Sequence, residues 1–352
     1  MTAAALHTRL CDLVGIQYPI VQTGMGWVAG PSLAAATSEA GGLGILAAAT
    51  MSFDELRRAI TDVKERTDNP FGVNLRADQP DVMDRIELLI REKVRVASFA
   101  MAPRAELIKR LQGDGVLVIP SIGARRHAEK VAEWGVDAVL VQGGEGGGHT
   151  GQVPTTLLLP QVIDAVDIPV IAAGGFFDGR GLIAALAYGA VGVAMGTRFL
   201  LTRDSGVPQA VKDLYLGKSV TDTVVTRQVD GVPHRVLRTE FVEQLESSGT
   251  VRGTGRAVAN AVRFQRLSGQ PWRSVVREGL AMKKSQELTW RQVIMAANTP
   301  MLLKAAMVDG RPDLGVMASG QVVGLIEDLP SCAELIERIM AEAEKVLHRL
   351  TD

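Results

Sequence analysis

Cysteine is scarce in this sequence, with only Cys11 and Cys332 in a chain of 352 residues. The two lie far apart and outside any CxxC or histidine-linked spacing, so the pattern predicts neither a disulfide framework nor a zinc site. HExxH, Gly-x-Ser-x-Gly and carboxylate clusters with metal-ligand spacing are also missing, so we expect no metal and have no anchor for a hydrolase. This usage favours a reducing, cytoplasmic setting.

An excess of one charge is missing too, since 38 Lys and Arg stand against 39 Asp and Glu, for a net charge of −1. Neither sign forms a long block, so we expect no nucleic-acid partner and no binding to acidic membranes. No apolar run reaches the ~18 residues of a membrane span, and the first residues lack the layout of a signal peptide. We expect a soluble, cytoplasmic protein with a small-molecule substrate, which could form a homodimer.

The sequence does contain an alternation of short apolar runs with longer, helix-patterned segments, repeated once per roughly 20–30 residues. The predicted strands are Pro19–Gln22, Leu43–Ala47, Phe71–Leu75, Val94–Phe99, Val116–Ser121, Ala138–Gln142, Pro169–Ala173 and Val191–Met195. Because these runs lack polar alternation, they predict a parallel sheet covered on both faces. Eight such units favour closure into a TIM (β/α)8 barrel over an open doubly wound sheet.

The alternation stops after residue 202. We predict a barrel from residues 1–202 and 298–352, and a mainly helical insertion from residues 203–297 that packs over the C-terminal mouth of the barrel. Active-site residues of such barrels lie on the loops that follow the strands, and the glycines concentrate in those loops here. We therefore expect function on that face.

Two glycine turns, each opening a helix, follow the last two predicted strands in IAAGGFFDGRG and GVAMGTRF. Glycine lets a phosphate approach backbone N–H groups, and a helix N-terminus adds partial positive charge. We assign Gly174, Gly175, Gly196 and Thr197 to a phosphate cradle, although either turn alone would be an ordinary strand–helix connection. No P-loop and no dinucleotide-binding GxGxxG is present.

The loop after the first strand, QTGMGWVAGPS, could place a planar ring at the barrel mouth. Gly24, Met25 and Gly26 would offer backbone donors and a flat apolar side chain, and Asn74 at the end of the third strand could bind a ring edge. Simple packing is the more common role of residues such as Met25 and Trp27. These assignments therefore remain open from the residues alone.

The candidate catalytic residue is His149, in the glycine-dense loop QGGEGGGHTG after the sixth strand. Core packing does not explain a histidine there, so we predict that His149 acts as an acid/base. Glu145 could assist it, although a loop carboxylate is more often only solvated. The other histidines, His7, His127, His234 and His348, fall in helical or surface contexts without a partner at motif spacing.

Taken together, these motifs resemble the flavin-dependent family that contains nitronate monooxygenases and flavin-type enoyl-acyl-carrier-protein reductases. The resemblance covers nearly the whole chain and rests on QTGMGW, SEAGGLGIL, GVN, GGEGGGHTG, AAGGFFDGRG, MGTRFL and ASGQVVGLI. It implies an FMN-binding barrel with the FMN phosphate at Gly175, Gly196 and Thr197, and the flavin ring near Gly24, Met25, Gly26 and Asn74. It also implies contacts from Gln142, Gly147 and Gly148, with His149 beside the flavin as the catalytic residue.

Within that family, VDGVPHRVLRTEFVEQLES and ELTWRQVIMAANTPMLLKA are similar to an actinobacterial branch that dehydrogenates coenzyme A thioesters in steroid-ring breakdown. The resemblance implies a CoA-ester dehydrogenase that could use NAD as electron acceptor. The alternatives are a nitronate monooxygenase using O₂, an enoyl-thioester reductase using NAD(P)H, and a non-catalytic barrel that binds a phosphorylated ligand. Arg273, Arg277, Lys283 and Lys284 could receive CoA phosphates or could form a solvated helical face.

Overall fold

A computed structural model describes residues 6–247 and 299–351, and it centres on a closed barrel of eight parallel strands. The strands, in chain order, are β1 (Ile20–Gln22), β2 (Leu43–Ala47), β3 (Phe71–Leu75), β4 (Val96–Phe99), β5 (Leu117–Ile122), β6 (Val139–Gln142), β7 (Gly148–His149), β8 (Val170–Ala173), β9 (Gly192–Met195), β10 (Thr223–Thr226) and β11 (His234–Leu237). The barrel consists of β1 to β6, β8 and β9, and it closes where β1 pairs with β9.

Helices follow the barrel strands and surround them. The helices of the described residues are α1 (Arg9–Val14), α2 (Pro31–Glu39), α3 (Phe53–Arg66), α4 (Val82–Arg91), α5 (Ala105–Gln112), α6 (Arg125–Glu133), α7 (Thr155–Ile163), α8 (Gly179–Ala187), α9 (Thr197–Leu200), α10 (Gln209–Leu216), α11 (Glu240–Ser247), α12 (Thr299–Met307) and α13 (Cys332–Thr351). None of them is both long and apolar enough to cross a bilayer.

The predicted TIM barrel is confirmed, and each of the eight predicted strands lies within two residues of the observed bounds. The strands are recognisable because both of their faces are buried, which leaves continuous apolar runs in the sequence. The capping box at the start of α3 is also present: Ser52 Oγ accepts the N–H of Glu55, and the Glu55 carboxylate accepts the N–H of Ser52.

The N-terminal end of the barrel is closed by α1. Arg95, just before β4, donates from Nε to the carbonyl of Val14 at 3.0 Å, and Thr8 donates to the carbonyl of Val191, just before β9. Inside the barrel, Ile45, Ile171 and their neighbours form an apolar core that continues onto α1. The carboxyl ends of the strands are therefore left as the end at which a site can form.

A second, smaller sheet has the order β10–β11–β7 and is antiparallel. Because β7 lies in the loop between β6 and β8, this sheet stands at the carboxyl end of the barrel. It includes two strands within residues 203–247, a segment that the sequence predicted to be mainly helical. The signal that could have shown the hairpin is the Asp230–Gly231 turn between two valine-rich runs, with Gly231 at φ 89°. The remainder of the predicted insertion lies outside the described residues, and the domain division stays a prediction.

Candidate active site

His149 lies at the edge of the small sheet, at the mouth of the barrel. It is one of the two residues of β7 and pairs with His234 on β11. Its side chain is 61% exposed, whereas the side chain of Asp230, with which it forms an ion pair, is only 5% exposed. The imidazole is therefore open to a ligand on one side and anchored to a buried group on the other.

The contact between these side chains decides how the imidazole is protonated. His149 Nε2 lies 2.5 Å from Asp230 Oδ2. Burial would raise the pKa of Asp230, but the hydrogen bond from His149 and the electrostatic interaction with the adjacent imidazoles outweigh it and hold that pKa below its usual range. An ionised carboxylate can only accept a hydrogen bond, so Nε2 carries the proton. The lone pair is then on Nδ1, which forms no hydrogen bond with any described side chain.

His234 is the third member of the cluster, and its predicted surface or helical context is wrong. It lies on β11, is 3% exposed, and its Nδ1 is 3.6 Å from the same Asp230 oxygen. Its ring centroid is 4.6 Å from that of His149, and neither of its ring nitrogens has a hydrogen-bond partner among the described residues. Burial lowers the pKa of His234, so this ring is neutral at neutral pH. Because His234 is neutral, the negative charge of Asp230 interacts mainly with His149.

The same cluster could be considered as a metal site, because one ligand atom of each of His149, Asp230 and His234 lies within 4.8 Å of the others. Zinc bonds of about 2.0–2.1 Å at tetrahedral angles separate neighbouring ligand atoms by roughly 3.3 Å. The 2.5 Å between His149 Nε2 and Asp230 Oδ2 is shorter than this separation and places the two atoms in direct hydrogen-bond contact. The arrangement is therefore that of a hydrogen-bonded histidine–carboxylate pair, and the absence of a metal stays a prediction.

The buried His234 predicts a pH dependence of stability. Its folded pKa is lowered, so below pH ~6.5 the unfolded chain binds a proton that the folded chain refuses. We expect the unfolding free energy to fall between pH 6.5 and 5.5 by up to about 1 kcal/mol more in the wild type than in His234→Phe. Urea unfolding at both pH values measures this. His127→Phe, at an exposed histidine on α6, should remove less of the slope, and an equal slope in wild type and His234→Phe would contradict the prediction.

The predicted phosphate cradle forms two adjacent corners at the ends of β8 and β9. Gly174 and Gly175 both have φ 89°, a left-handed conformation that side chains other than glycine rarely adopt. Thr197 opens α9, and its Oγ1 accepts the N–H of Gly320 at 2.9 Å. That contact leaves the hydroxyl hydrogen of Thr197 free to donate to an anion. The corners therefore present backbone groups and one hydroxyl.

The residues predicted to hold a planar ring also meet at the mouth. A Cβ on Gly24 would lie 2.4 Å from Cβ of Asn74, and one on Gly196 would lie 3.4 Å from Sδ of Met25. Asn74 is buried and donates to Ser98 Oγ on the next strand at 3.3 Å. The loop continues into Trp27, a non-glycine residue at φ 64° whose buried indole N–H finds no hydrogen-bond partner within residues 6–247 and 299–351. Strained and unpaired groups of this kind concentrate at functional sites.

The loop that carries His149 is held by Gln142, whose Nε2 donates to the carbonyls of His149 at 2.8 Å and Gly147 at 3.4 Å. Gly148 has φ 74°, and a Cβ on Gly147 would lie 2.6 Å from the backbone nitrogen of Gly320. The three residues thus shape the loop around the imidazole. A side chain at position 147 would clash with the backbone of Gly320, and one at position 148 would be strained by the positive φ.

Glu145 does not assist His149. Its carboxylate accepts the backbone N–H of Thr155 at 2.9 Å and the Thr155 hydroxyl at 2.7 Å, at the start of α7. From the sequence, Glu145 could have been either a catalytic partner of His149 or a solvated carboxylate. In the structure its carboxylate instead caps the start of α7.

Two residues of the site were not predicted, namely Asp230 and the buried neighbour His234. The segment that carries them has no catalytic motif, and its Asp-Gly turn signals a hairpin only. The basic candidates Arg273, Arg277, Lys283 and Lys284 lie outside the described residues. The other candidates lie together at the carboxyl end of the barrel.

The fold and site define a TIM-barrel enzyme with a carboxylate-anchored histidine beside a glycine cradle. A family model of nitronate monooxygenases matches residues 7–88 and 82–342. The chain is 64% identical over 347 residues, covering 99% of this chain and 98% of the relative, to the (3aS,4S,5R,7aS)-5-hydroxy-7a-methyl-1-oxo-octahydro-1H-indene-4-carboxyl-CoA dehydrogenase of Rhodococcus jostii. It is 66% identical over 341 residues, 96% of each chain, to the Mycobacterium tuberculosis protein of that name.

Solved structures of two other proteins are similar to this one over nearly the whole chain. FabK from Thermotoga maritima superimposes with a TM-score of 0.80 at 36% identity, covering 98% of each chain. The nitroalkane oxidase of Streptomyces ansochromogenes gives 0.76 at 29% identity, covering 97% of this chain and 99% of the other. The chain belongs to the nitronate monooxygenase family, and it is an oxidoreductase of the flavin type. The alternative of a non-catalytic barrel is thereby set aside.

Proposed function

We propose that the protein is an FMN-dependent dehydrogenase that introduces an α,β double bond into the coenzyme A thioester of a steroid-derived hydrindane carboxylic acid. The observation that carries the proposal is the His149–Asp230 pair, an exposed imidazole anchored by a buried carboxylate at the barrel mouth. The names of the relatives at 64% and 66% identity supply the substrate class.

The pair suits the proton that this reaction must remove. A thioester acidifies its α C–H, and a base within reach of that carbon can accept the proton. Asp230 keeps the proton of His149 on Nε2 and thus leaves Nδ1 as the acceptor. As Nδ1 accepts the α proton, the imidazole becomes positively charged, and the adjacent Asp230 carboxylate stabilises that charge. The β hydrogen leaves with its electron pair as a hydride.

The residues at the mouth of the barrel are suited to hold FMN, the group that would receive this hydride. Bound FMN would supply a two-electron acceptor, which no side chain of the protein provides. Gly174 and Gly175 would hold the phosphate with backbone groups, and Thr197 would donate its free hydroxyl hydrogen. Gly196 would complete this phosphate cradle, and Gly24, Gly26, Met25 and Asn74 would border the ring. NAD is the proposed final electron acceptor.

Anaerobic mixing of the FMN-loaded protein with candidate substrates tests the proposal. We expect the hydrindane carboxyl-CoA thioester to bleach the flavin absorbance rapidly and to yield the enoyl thioester. Rapid bleaching by alkyl nitronates, with the thioester leaving the flavin oxidised, would instead identify a nitronate monooxygenase, which the family model and the Streptomyces nitroalkane oxidase favour. Bleaching by NAD(P)H, followed by reoxidation with an enoyl thioester, would identify the reverse, reductive direction.

The phosphate cradle carries its own prediction. In Gly175→Ala, a Cβ at φ 89° would cost about 1–2 kcal/mol, and we expect the dissociation constant for FMN to rise about 10-fold. Fluorescence titration of the apoprotein with FMN measures this value. Gly206→Ala is the matched control, because a Cβ there meets nothing within 4 Å. Unchanged FMN affinity in a folded Gly175→Ala protein would remove this corner from the cradle.

A further inference from the structure

A cavity lies between the loop after β6 and the β10–β11 hairpin, and it is not part of the His149 cluster. Its volume is about 660 Å³, within the size range of small-ligand sites. It is lined by Gly144, Glu145, Gly151, Gln152, Pro154, Val225, Arg227, Pro233, Arg235 and Gln321. Val225 and Arg235 are paired across β10 and β11, so they share the face of the small sheet that borders the cavity.

The cavity carries positive charge. The half-buried Arg235 donates from Nη2 to the carbonyl of Gly144 at 2.8 Å and from Nη1 to Thr223 Oγ1 at 2.9 Å. Across residues 6–247 and 299–351, no acidic side chain forms an ion pair with Arg235 or with the exposed Arg227. The carboxylate of Glu145, the one acidic group of the lining, is held by Thr155. The lining thus contains two arginines and one glutamate, whose carboxylate is already hydrogen-bonded to Thr155. This excess of positive charge favours an anion with several acceptor oxygens.

The rest of the lining suits a nucleotide better than a free inorganic ion. Val225 and Pro233 offer apolar surface for a base, and the amides of Gln152 and Gln321 can both donate and accept hydrogen bonds. A guanidinium beside such a surface matches a diphosphate attached to a nucleoside.

The position of the cavity connects it to the catalytic histidine. Gly151, in its lining, is two residues from His149, so their Cα atoms are at most about 7 Å apart. On β11, His234 pairs with His149 and the next residue, Arg235, pairs with Gly148. Successive residues of a strand point to opposite faces, so the cavity lies across the sheet from the imidazole, separated by the two-residue strand β7. The extended pantetheine arm of coenzyme A is longer than this separation.

We infer that the Arg227–Arg235 cavity binds the diphosphate of an adenine nucleotide, as the tail of the acyl-CoA substrate. The inference rests on the proposed function. The same chemistry occurs in NAD, the proposed electron acceptor, so the experiment below has an arm for each source. Arg227 is the residue to change, because Arg235 also supports the loop through Gly144.

Anaerobic flavin reduction by two forms of one acyl group, the CoA thioester and the pantetheine thioester, tests this assignment. In Arg227→Gln we expect the half-saturating concentration of the CoA thioester to rise about 10-fold, as for loss of a charge-assisted hydrogen bond. The value for the pantetheine thioester, which lacks the nucleotide, should not change. The difference between the two thioesters should shrink with added salt in the wild type. Arg58→Gln, at an exposed arginine on α3, is the matched control and should change neither value.

A second arm measures flavin reoxidation by NAD and, by calorimetry, the binding of free coenzyme A. Slower reoxidation by NAD in Arg227→Gln, with CoA binding unchanged, would support the cavity as a nucleotide site and assign it to NAD. Equal behaviour of Arg227→Gln and wild type with the CoA thioester, free CoA and NAD would overturn the inference. Failure of the proposed function looks different, because neither thioester would then bleach the wild-type flavin, whereas calorimetry with CoA would still report on the cavity.

Discussion

Replacing His149 with alanine will lower the rate constant for flavin reduction by the thioester by ~10²-fold or more, the range expected when an acid/base group is lost. The imidazole is the exposed titratable group that the structure anchors at the mouth, and it contributes no side chain to the phosphate cradle. The absorbance of bound FMN should therefore be unchanged. Stopped-flow spectroscopy under anaerobic conditions measures the rate constant directly.

The control for this substitution is His127→Ala, at an exposed histidine on α6, which should reduce its flavin at the wild-type rate. If His149→Ala with a normal flavin spectrum also reduces its flavin at the wild-type rate, His149 has no part in the chemistry. Loss of FMN from His149→Ala would instead give the residue a binding role.

Replacing Asp230 with asparagine should have the next largest effect, a loss of about 10²–10³-fold in the same rate constant. An amide can donate to Nε2, which would leave the proton of the ring on Nδ1, the position that must accept the α proton. The buried carboxylate would also no longer stabilise the charge on the imidazole. Because Asp230 acts through His149, we expect the rate constant at saturation to fall while the half-saturating thioester concentration changes little.

Asp230→Glu separates positioning from general structural damage, since it keeps the charge and should recover part of the rate. The double variant His149→Ala/Asp230→Asn should be no slower than His149→Ala alone, because the two residues work as a unit. Independent, multiplicative losses would contradict the pairing. Equal rates in Asp230→Asn and wild type would show that the ring needs no carboxylate.

Much of the barrel follows from local sequence. The eight strands could be predicted because burial on both faces leaves short apolar runs, and helices such as α3 carry their own capping residues. The cradle glycines could be singled out for a similar reason, since Gly174 and Gly175 adopt a conformation that glycine accepts without strain. His149 was recognisable because it stands in a loop too rich in glycine to be a packing residue.

The small sheet and its cluster could not be read in this way. The strands β10 and β11 have only four residues each and lie in a segment that also contains helices. The sequence pattern of that segment therefore indicated helices, and the two strands were missed. The partner of β11 is the two-residue strand β7, which has no pattern of its own. Long-range pairing of such short strands depends on the whole fold, because neither strand is stable alone.

The amino-acid sequence by itself determined the barrel, the glycine-rich loops that carry the candidate site residues and the histidine proposed for acid/base chemistry, since each depends on residues that are neighbours along the chain. Only the tertiary structure decided which ring nitrogen of His149 carries the proton, because that depends on Asp230, 81 residues further along the chain. Folding brings that carboxylate out of water and against His149 and His234, where charge and hydrogen bonding, rather than any sequence pattern, hold it ionised.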